Sequence, residues 1–299
     1  MSTSTASDER LERAIGRLLA QHERFSPSIN PDASDPAGVV AIDSAQLGEK
    51  ACVDAAIAQC RAIFSLEKPK HTAQLWLYTL LGDLAAPSVH LMVEEDVVPD
   101  LDLRSGELFR RDGDFWFGYR PTRQASSVEA SAKGLGLSLT GLVAALCSQL
   151  DLRPAPLWSV IADGLIQPAI GAGNQAFETA RAFEVAQQLR EGLLQGANEG
   201  AAALSELEAE SAAGKGDGDA ARQQVTLPPL RVDAVEDGQL IQTAVPELLA
   251  SGEEPEYLLA HRSSCCMIYH SPNAGVCTSC PHQDREQRIT GQLAALQPW

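Results

Sequence analysis

Between residues 265 and 280 the chain places four of its seven cysteines: the adjacent pair Cys265 and Cys266, ten residues, then Cys277 and Cys280 in a C-x-x-C pair closed by Pro281. Any fold that uses these thiols together must bring two short sequence pairs to one place. A C-x-x-C turn directs both sulfurs to one side, so Cys277 and Cys280 form a clamp suited to a metal centre. The Ser-Pro-Asn-Ala-Gly stretch at 271–275 supplies the turn that folds the chain back toward the first pair. Neighbouring side chains in extended backbone diverge, and zinc sites space paired ligands by two to four residues. The Cys265–Cys266 pair therefore suits a larger two-iron cluster, which takes four thiolates, better than a single zinc. Structural zinc remains the second reading of the same residues.

A chain of 299 residues buries about 75% of its unfolded surface, so the cysteines are not needed as staples. The N-terminus, MSTSTASDERLERAIGRLL, lacks the basic start and apolar run of a signal peptide, and no run of about 18 apolar residues suggests a membrane span. The expectation is a cytoplasmic protein, where clustered thiols serve as metal ligands or redox groups. The formal net charge of −17 repels phosphate backbones and argues against nucleic acid. It favours a neutral or cationic small ligand, or a basic partner.

Helical spacing of apolar residues marks 8–25, 45–65, 70–84 and most of 126–196. Residues 98–120 alternate around Ser105-Gly106 and Asp112-Gly113 and predict a meander of three short strands. The Ala-, Gly- and Glu-rich stretch 197–224 reads as a mobile linker or partly helical loop. Two short strands are expected at 229–243 around Asp237-Gly238, and a short helix after the cysteines. The fold class is α+β: a helix-rich body at 1–226 with one small antiparallel sheet, then a cysteine-rich, metal-binding region at 227–299.

The pattern R-x-x-C-C-x-x-Y-x7-C-x-x-C-P, formed by Arg262, Cys265, Cys266, Tyr269, Cys277, Cys280 and Pro281, resembles the C-terminus of the FhuF-type ferric-siderophore reductases. Chain length and the helical LWSVIADGL region are also similar to that family. The resemblance implies a [2Fe–2S] cluster on Cys265, Cys266, Cys277 and Cys280. It implies a cytoplasmic enzyme that passes one electron to Fe(III) in a hydroxamate-type siderophore and releases Fe(II). The acidic balance favours a neutral or cationic complex such as a ferrioxamine. No phosphate loop or dinucleotide fingerprint is present, so electrons would come from an external ferredoxin or flavin reductase. The alternatives are a zinc-binding or redox-sensing module, or a plain iron–sulfur electron carrier.

Around the cysteines, Arg262, Arg285 and Arg288 face only Asp284 and Glu286 in the same segment, and His261, His270 and His282 lie there too. These are candidates for offsetting cluster charge and for coupling a proton to reduction. Cys52, Cys60 and Cys147 sit in apolar helical stretches and read as core. The aromatic run Phe115, Trp116, Phe117 and Tyr119, with Trp76 and Trp158, offers either core or the wall of a siderophore pocket.

Overall fold

The computed structural model describes residues 6–31, 38–111, 117–212 and 224–296. The layout follows from which helices are apolar on one side and which all round. Helix α1 (Ala6–Gln21) buries one stripe, Leu11, Ala14, Ile15 and Leu18, and leaves its charged face in water. A single turn, α2 (Ser26–Ile29), follows, and α3 (Lys50–Phe64) again buries a single stripe. In contrast α4 (Pro69–Leu84) and α5 (Ala86–Glu94) are buried along most of their length, as are the first halves of α6 (Val128–Leu150) and α7 (Pro154–Ala176). Such helices form the interior, with α8 (Thr179–Ala212) laid along α6 and α7. One continuous apolar cluster runs from Leu47 to Cys266, so it includes part of the cysteine segment.

Start signals are local. The Ser127 hydroxyl accepts the Ala130 N–H and caps α6, while Pro69 and Pro154 occupy first-turn positions where no N–H is needed. Helix α8 continues to Ala212, so the first part of the stretch whose composition suggests a linker is helical; residues 213–223 lie outside the described residues. Three glycines one turn apart hold α8 against α6 as far as the start of that stretch. A Cβ at Gly192, Gly196 or Gly200 would overlap the Glu129 carbonyl, the Lys133 carbonyl or the Thr140 hydroxyl of α6. The two helices touch backbone to backbone. Gly196→Val is expected to lower the unfolding free energy by at least about 2 kcal/mol through overpacking. Gly171→Ala, at a position with open space, should be neutral to slightly stabilising, and urea unfolding of both variants checks the contrast.

Helix α6 is long and apolar enough to cross a membrane, a feature the search for unbroken apolar runs passes over; half of its apolar window is buried, against α8.

The strands form two three-stranded antiparallel sheets rather than one. The first orders β1 (Val39–Ala41), β2 (Glu107–Arg111) and β3 (Phe117–Arg120), with Phe109 opposite Gly118. Its third strand comes from residues 39–41, not from the start of the expected 98–120 meander, where only an isolated bridge pairs Pro99 with Gln124. The Asp100, Asp102 and Pro99 region is instead tied by its backbone to Tyr119 and to Ser131 and Ser138 of α6. The second sheet orders β5 (Gln239–Leu240), β4 (Val232–Glu236) and β6 (Tyr257–Ala260). The hairpin at Asp237-Gly238 matches the expected turn, and both residues have positive φ. Between the strands lies α9 (Val245–Ser251), and after the cysteines α10 (Arg285–Leu296) closes the described chain.

Candidate metal centre

The cysteine segment is hung between β6 and α7. Strand β6 ends at Ala260, and the chain then turns inward through Arg262, Ser263 and Ser264. One carboxylate in the middle of apolar α7, Asp163, receives that turn: it accepts the Ser263 N–H at 3.1 Å, the Ser264 N–H at 2.7 Å and the Ser264 hydroxyl at 2.5 Å. Asp163 is buried. Burial pushes its carboxyl above the usual carboxylate range, against the pull of the Ser264 hydroxyl, the two N–H donors and the Arg262 guanidinium. A charge in that position is tolerable because it is multiply hydrogen-bonded and has a cation nearby.

Arg262 is that cation. Only 4% exposed, it lies 3.9 Å from Asp163 through Nε, donates Nη1 to the Cys277 sulfur at 3.7 Å and stacks its guanidinium 4.3 Å above the Tyr78 ring. Its Nε and Nη2 are buried without a hydrogen-bond partner. A buried guanidinium with unused donors, beside thiols, suits a centre that carries extra negative charge.

The structure brings the two cysteine pairs together. Cys265, Cys266 and Cys280 are buried and Cys277 is half-buried. Met267 adopts a left-handed φ of 66°, which turns successive N–H groups toward the sulfurs. The Met267 N–H reaches the Cys265 sulfur at 3.2 Å, and the Ile268 N–H serves Cys266. The C-x-x-C turn is closed by the Cys280 N–H on the Cys277 carbonyl at 2.9 Å, which also accepts from the Gln283 side chain. Between the pairs, Ser271 accepts from Asn273 and so forms the turn expected at 271–275.

The thiols are electrostatically unequal. Cys266 is held down to about 5 by a hydrogen bond from Cys277, against burial, with the Ile268 N–H and Arg262 helping. Cys277, which donates that bond, is pushed above the usual thiol range by it and by burial, and burial takes Cys265 up to about 11. The site thus favours thiolate at Cys266, within the influence of Arg262, even before any metal draws off the remaining protons.

Spacing separates two readings of these thiols. Among the described residues no three of the cysteine sulfurs lie within 4.8 Å of one another. One tetrahedral ion with bonds of about 2.3 Å needs all four within about 3.8 Å. A diiron cluster spreads its four thiolates over two irons and so takes sulfurs further apart than one ion does. The donor set fits the larger group: four thiols, backbone N–H donors on the sulfurs, and a buried cation.

The other residues singled out from the sequence divide cleanly. His270 stacks on His71 at 3.8 Å and lies 4.0 Å from Tyr269, whose other neighbour is His282 at 4.7 Å. His261 instead pairs with Asp233 at 2.9 Å. Trp76, Trp158, Phe117 and Tyr119 are core, not pocket wall, and Phe115 and Trp116 lie outside the described residues. Cys60 is buried beside the Thr72 carbonyl, and Cys52 and Cys147 are held against the main apolar cluster, away from the four. Asp163 is the contributor that motif reading misses, although a lone carboxylate inside the apolar run LWSVIADGL is itself a signal.

His71 adds a pH dependence. Burial, with His270, Lys68 and Lys70 nearby, lowers it to about 4 from 6.5. A histidine depressed in the folded state binds its proton more readily in the unfolded chain. Stability should therefore fall as pH drops from about 6.5 toward about 4, and His71→Phe should flatten that part of a urea-unfolding pH profile.

A cavity of about 700 Å³ opens beside the segment, lined in part by Arg231, Arg262, Arg285, Arg288, His261 and Asp233. Four arginines against one carboxylate give this mouth a positive field in a chain of net charge −17.

Comparison with known proteins places the sequence of this segment in a class. Residues 262–282 match the model of the FhuF 2Fe-2S C-terminal domain. This chain thus carries a FhuF-type iron–sulfur segment, and the match together with the cysteine cluster assigns it a [2Fe–2S] cofactor. No curated protein and no solved structure matches the chain.

Proposed function

We propose that the protein is a ferric-siderophore reductase of the cytoplasm whose cofactor is held by Cys265, Cys266, Cys277 and Cys280. The observation that carries this reading is the pairing of separated thiols with a buried, under-bonded Arg262 inside the segment matched to the FhuF 2Fe-2S domain. When bound, the cluster supplies one electron at a time to Fe(III) in the siderophore.

The chain's own residues set the conditions for that transfer. Arg262 and the N–H groups of Met267 and Ile268 stabilise negative charge on the sulfurs and so raise the potential. Asp163 fixes the position of the segment against α7. Cys277, the least buried of the four thiols, gives the electron its way out. The adjacent cavity is of the size that holds a small ligand, and its arginines suit the hard anionic oxygens that would ligate ferric iron. The local field therefore runs against the neutral or cationic preference that net charge alone suggests. The large helical body beyond the segment supports a substrate-binding reductase over a plain carrier, and the electron donor is an external ferredoxin or flavin reductase.

Anaerobic mixing tests the reading. Dithionite-reduced protein, freed of excess reductant, should regain its oxidised visible spectrum on addition of a ferric hydroxamate, with one Fe(II) trapped by a ferrous chelator per electron lost. A reduced spectrum unchanged by every ferric hydroxamate offered would remove the reductase assignment while leaving the cofactor in place. Replacing Arg285 and Arg288 together by Gln should slow reoxidation by a net-negative ferric hydroxamate about tenfold through loss of steering, leave a neutral one unaffected and keep the cluster content, measured by stopped flow.

A further inference from the structure

A second cluster of metal-ligating side chains lies far from the cysteines in sequence. Helix α1 ends at Gln21, and His22 leaves it with φ −131° and ψ 70°, which turns its ring back toward α5. On α5, His90 and Glu94 stand one turn apart on the same face. His22 Nε2 lies 2.9 Å from Glu94 Oε2, and His90 Nδ1 lies 2.6 Å from Glu94 Oε1. One ligand atom from each of the three residues falls within 4.8 Å of the others, the only such group of His, Cys, Asp or Glu among the described residues. The side chains are 16%, 5% and 8% exposed for His22, His90 and Glu94. The site is largely buried, with His22 at its open edge.

The shell around the trio is apolar. The Phe25 ring meets both imidazoles edge-on, at 5.8 Å from His22 and 4.7 Å from His90, and Leu18, Ala86 and Leu91 are buried in the same small core. The nearby charges are engaged elsewhere: Arg24 lies over Phe25 and bonds Gln175, and Arg17 pairs with Glu95. Two imidazole nitrogens and one carboxylate, brought from two separate elements to one point, leave further coordination positions open to water. That is the donor set of mononuclear Zn(II) and Fe(II) sites. The i, i+4 spacing of His90 and Glu94 lets one helix face supply two ligands, and His22 completes the set from outside. The surrounding apolar side chains hold the rotamers, as a metal site of defined geometry requires.

We infer that His22, His90 and Glu94 form a second metal site, for a divalent first-row cation such as Zn(II) or Fe(II). The inference is independent of what the cysteine segment does.

The test uses the full chain with its cluster loaded, kept anaerobic. Calorimetric titration with Zn(II) should show one saturable site, and His22→Gln should weaken it at least about tenfold, because that change removes a donor at the open edge and leaves the buried His90–Glu94 pair intact. The Zn(II)-induced rise in melting temperature should vanish in the same variant. A Zn(II)-soaked crystal should show an anomalous peak between His22 Nε2, His90 Nδ1 and the Glu94 carboxylate. Zn(II) affinity equal in wild type and His22→Gln, with no peak among these atoms at saturation, would overturn the inference and leave a hydrogen-bonded trio. Glu94→Gln provides the second variant: it keeps the size of the side chain and should abolish the peak.

Discussion

Cys266→Ser should abolish the visible absorption of the purified protein and the EPR signal of its reduced form, with cluster content falling at least about tenfold. The residue is buried, it is the thiol held lowest, at about 5, and it receives Cys277, the Ile268 N–H and Arg262. Serine keeps the size, but its hydroxyl does not become an anion readily, so the position held lowest loses its charge. Cys280→Ser should act similarly, since Cys280 is buried and its charge acts on Cys265 of the first pair. Cys60→Ala provides the contrast: it opens a small hole in the core beside Thr72, lowers stability by about 1 kcal/mol and leaves iron content unchanged. Iron and absorbance measurements on the three variants check the set. Equal loss of iron in all of them would mean that global unfolding, not ligation, governs cofactor retention.

Asp163→Ala should lower the unfolding free energy by about 3–5 kcal/mol, the range for removing one partner of a buried charged arrangement. The substitution leaves the Ser263 and Ser264 N–H groups and the Ser264 hydroxyl without their acceptor, and it leaves Arg262 deprived of its nearest carboxylate. Because these contacts hang the cysteine segment on α7, cluster absorption should be lost at lower urea than helical signal, where the wild type loses both together. Asp163→Asn should sit between the two, since an amide oxygen in place of Oδ2 still accepts from Ser263 and Ser264 while the negative charge beside Arg262 is lost. Two-wavelength urea titrations decide it. Loss of cluster and helix at one midpoint in Asp163→Ala would assign the carboxylate a role in the whole core instead of in the segment.

These two residues mark how far the sequence could be read. The cysteines were legible because ligand spacing is a local property: a C-x-x-C turn and an adjacent pair report their chemistry within sixteen positions. Helices such as Pro69–Leu84 were legible because 3.6-residue periodicity and first-turn prolines are local as well. Asp163 works through chain neighbours about one hundred residues away, so only its oddity, a carboxylate within an apolar run, shows in the sequence.

Two strands stay hidden in the sequence for the same reason. Val39–Ala41 is three residues long and is a strand only because Arg111, Arg110 and Phe109 stand opposite it, and Tyr257–Ala260 is fixed by its pairing with Val232–Val235. Residues near 98–103 alternate like a strand, yet side chains of α6 take their backbone bonds. The composition at 197–212 reads as linker, but its one glycine, Gly200, makes room for the Thr140 side chain of α6, as Gly192 and Gly196 before it do for the α6 backbone, a fit visible only once both helices are in place. The His22, His90 and Glu94 group shows a related limit: His90 and Glu94 have helical spacing, whereas His22 joins them across about seventy positions.

Metal and sulfide analysis of anaerobically purified full-length protein tests the central claim most directly. The account predicts two irons and two acid-labile sulfides per chain, with an EPR signal that appears on one-electron reduction. A single zinc bound by the cysteines, with neither iron nor sulfide, would contradict it.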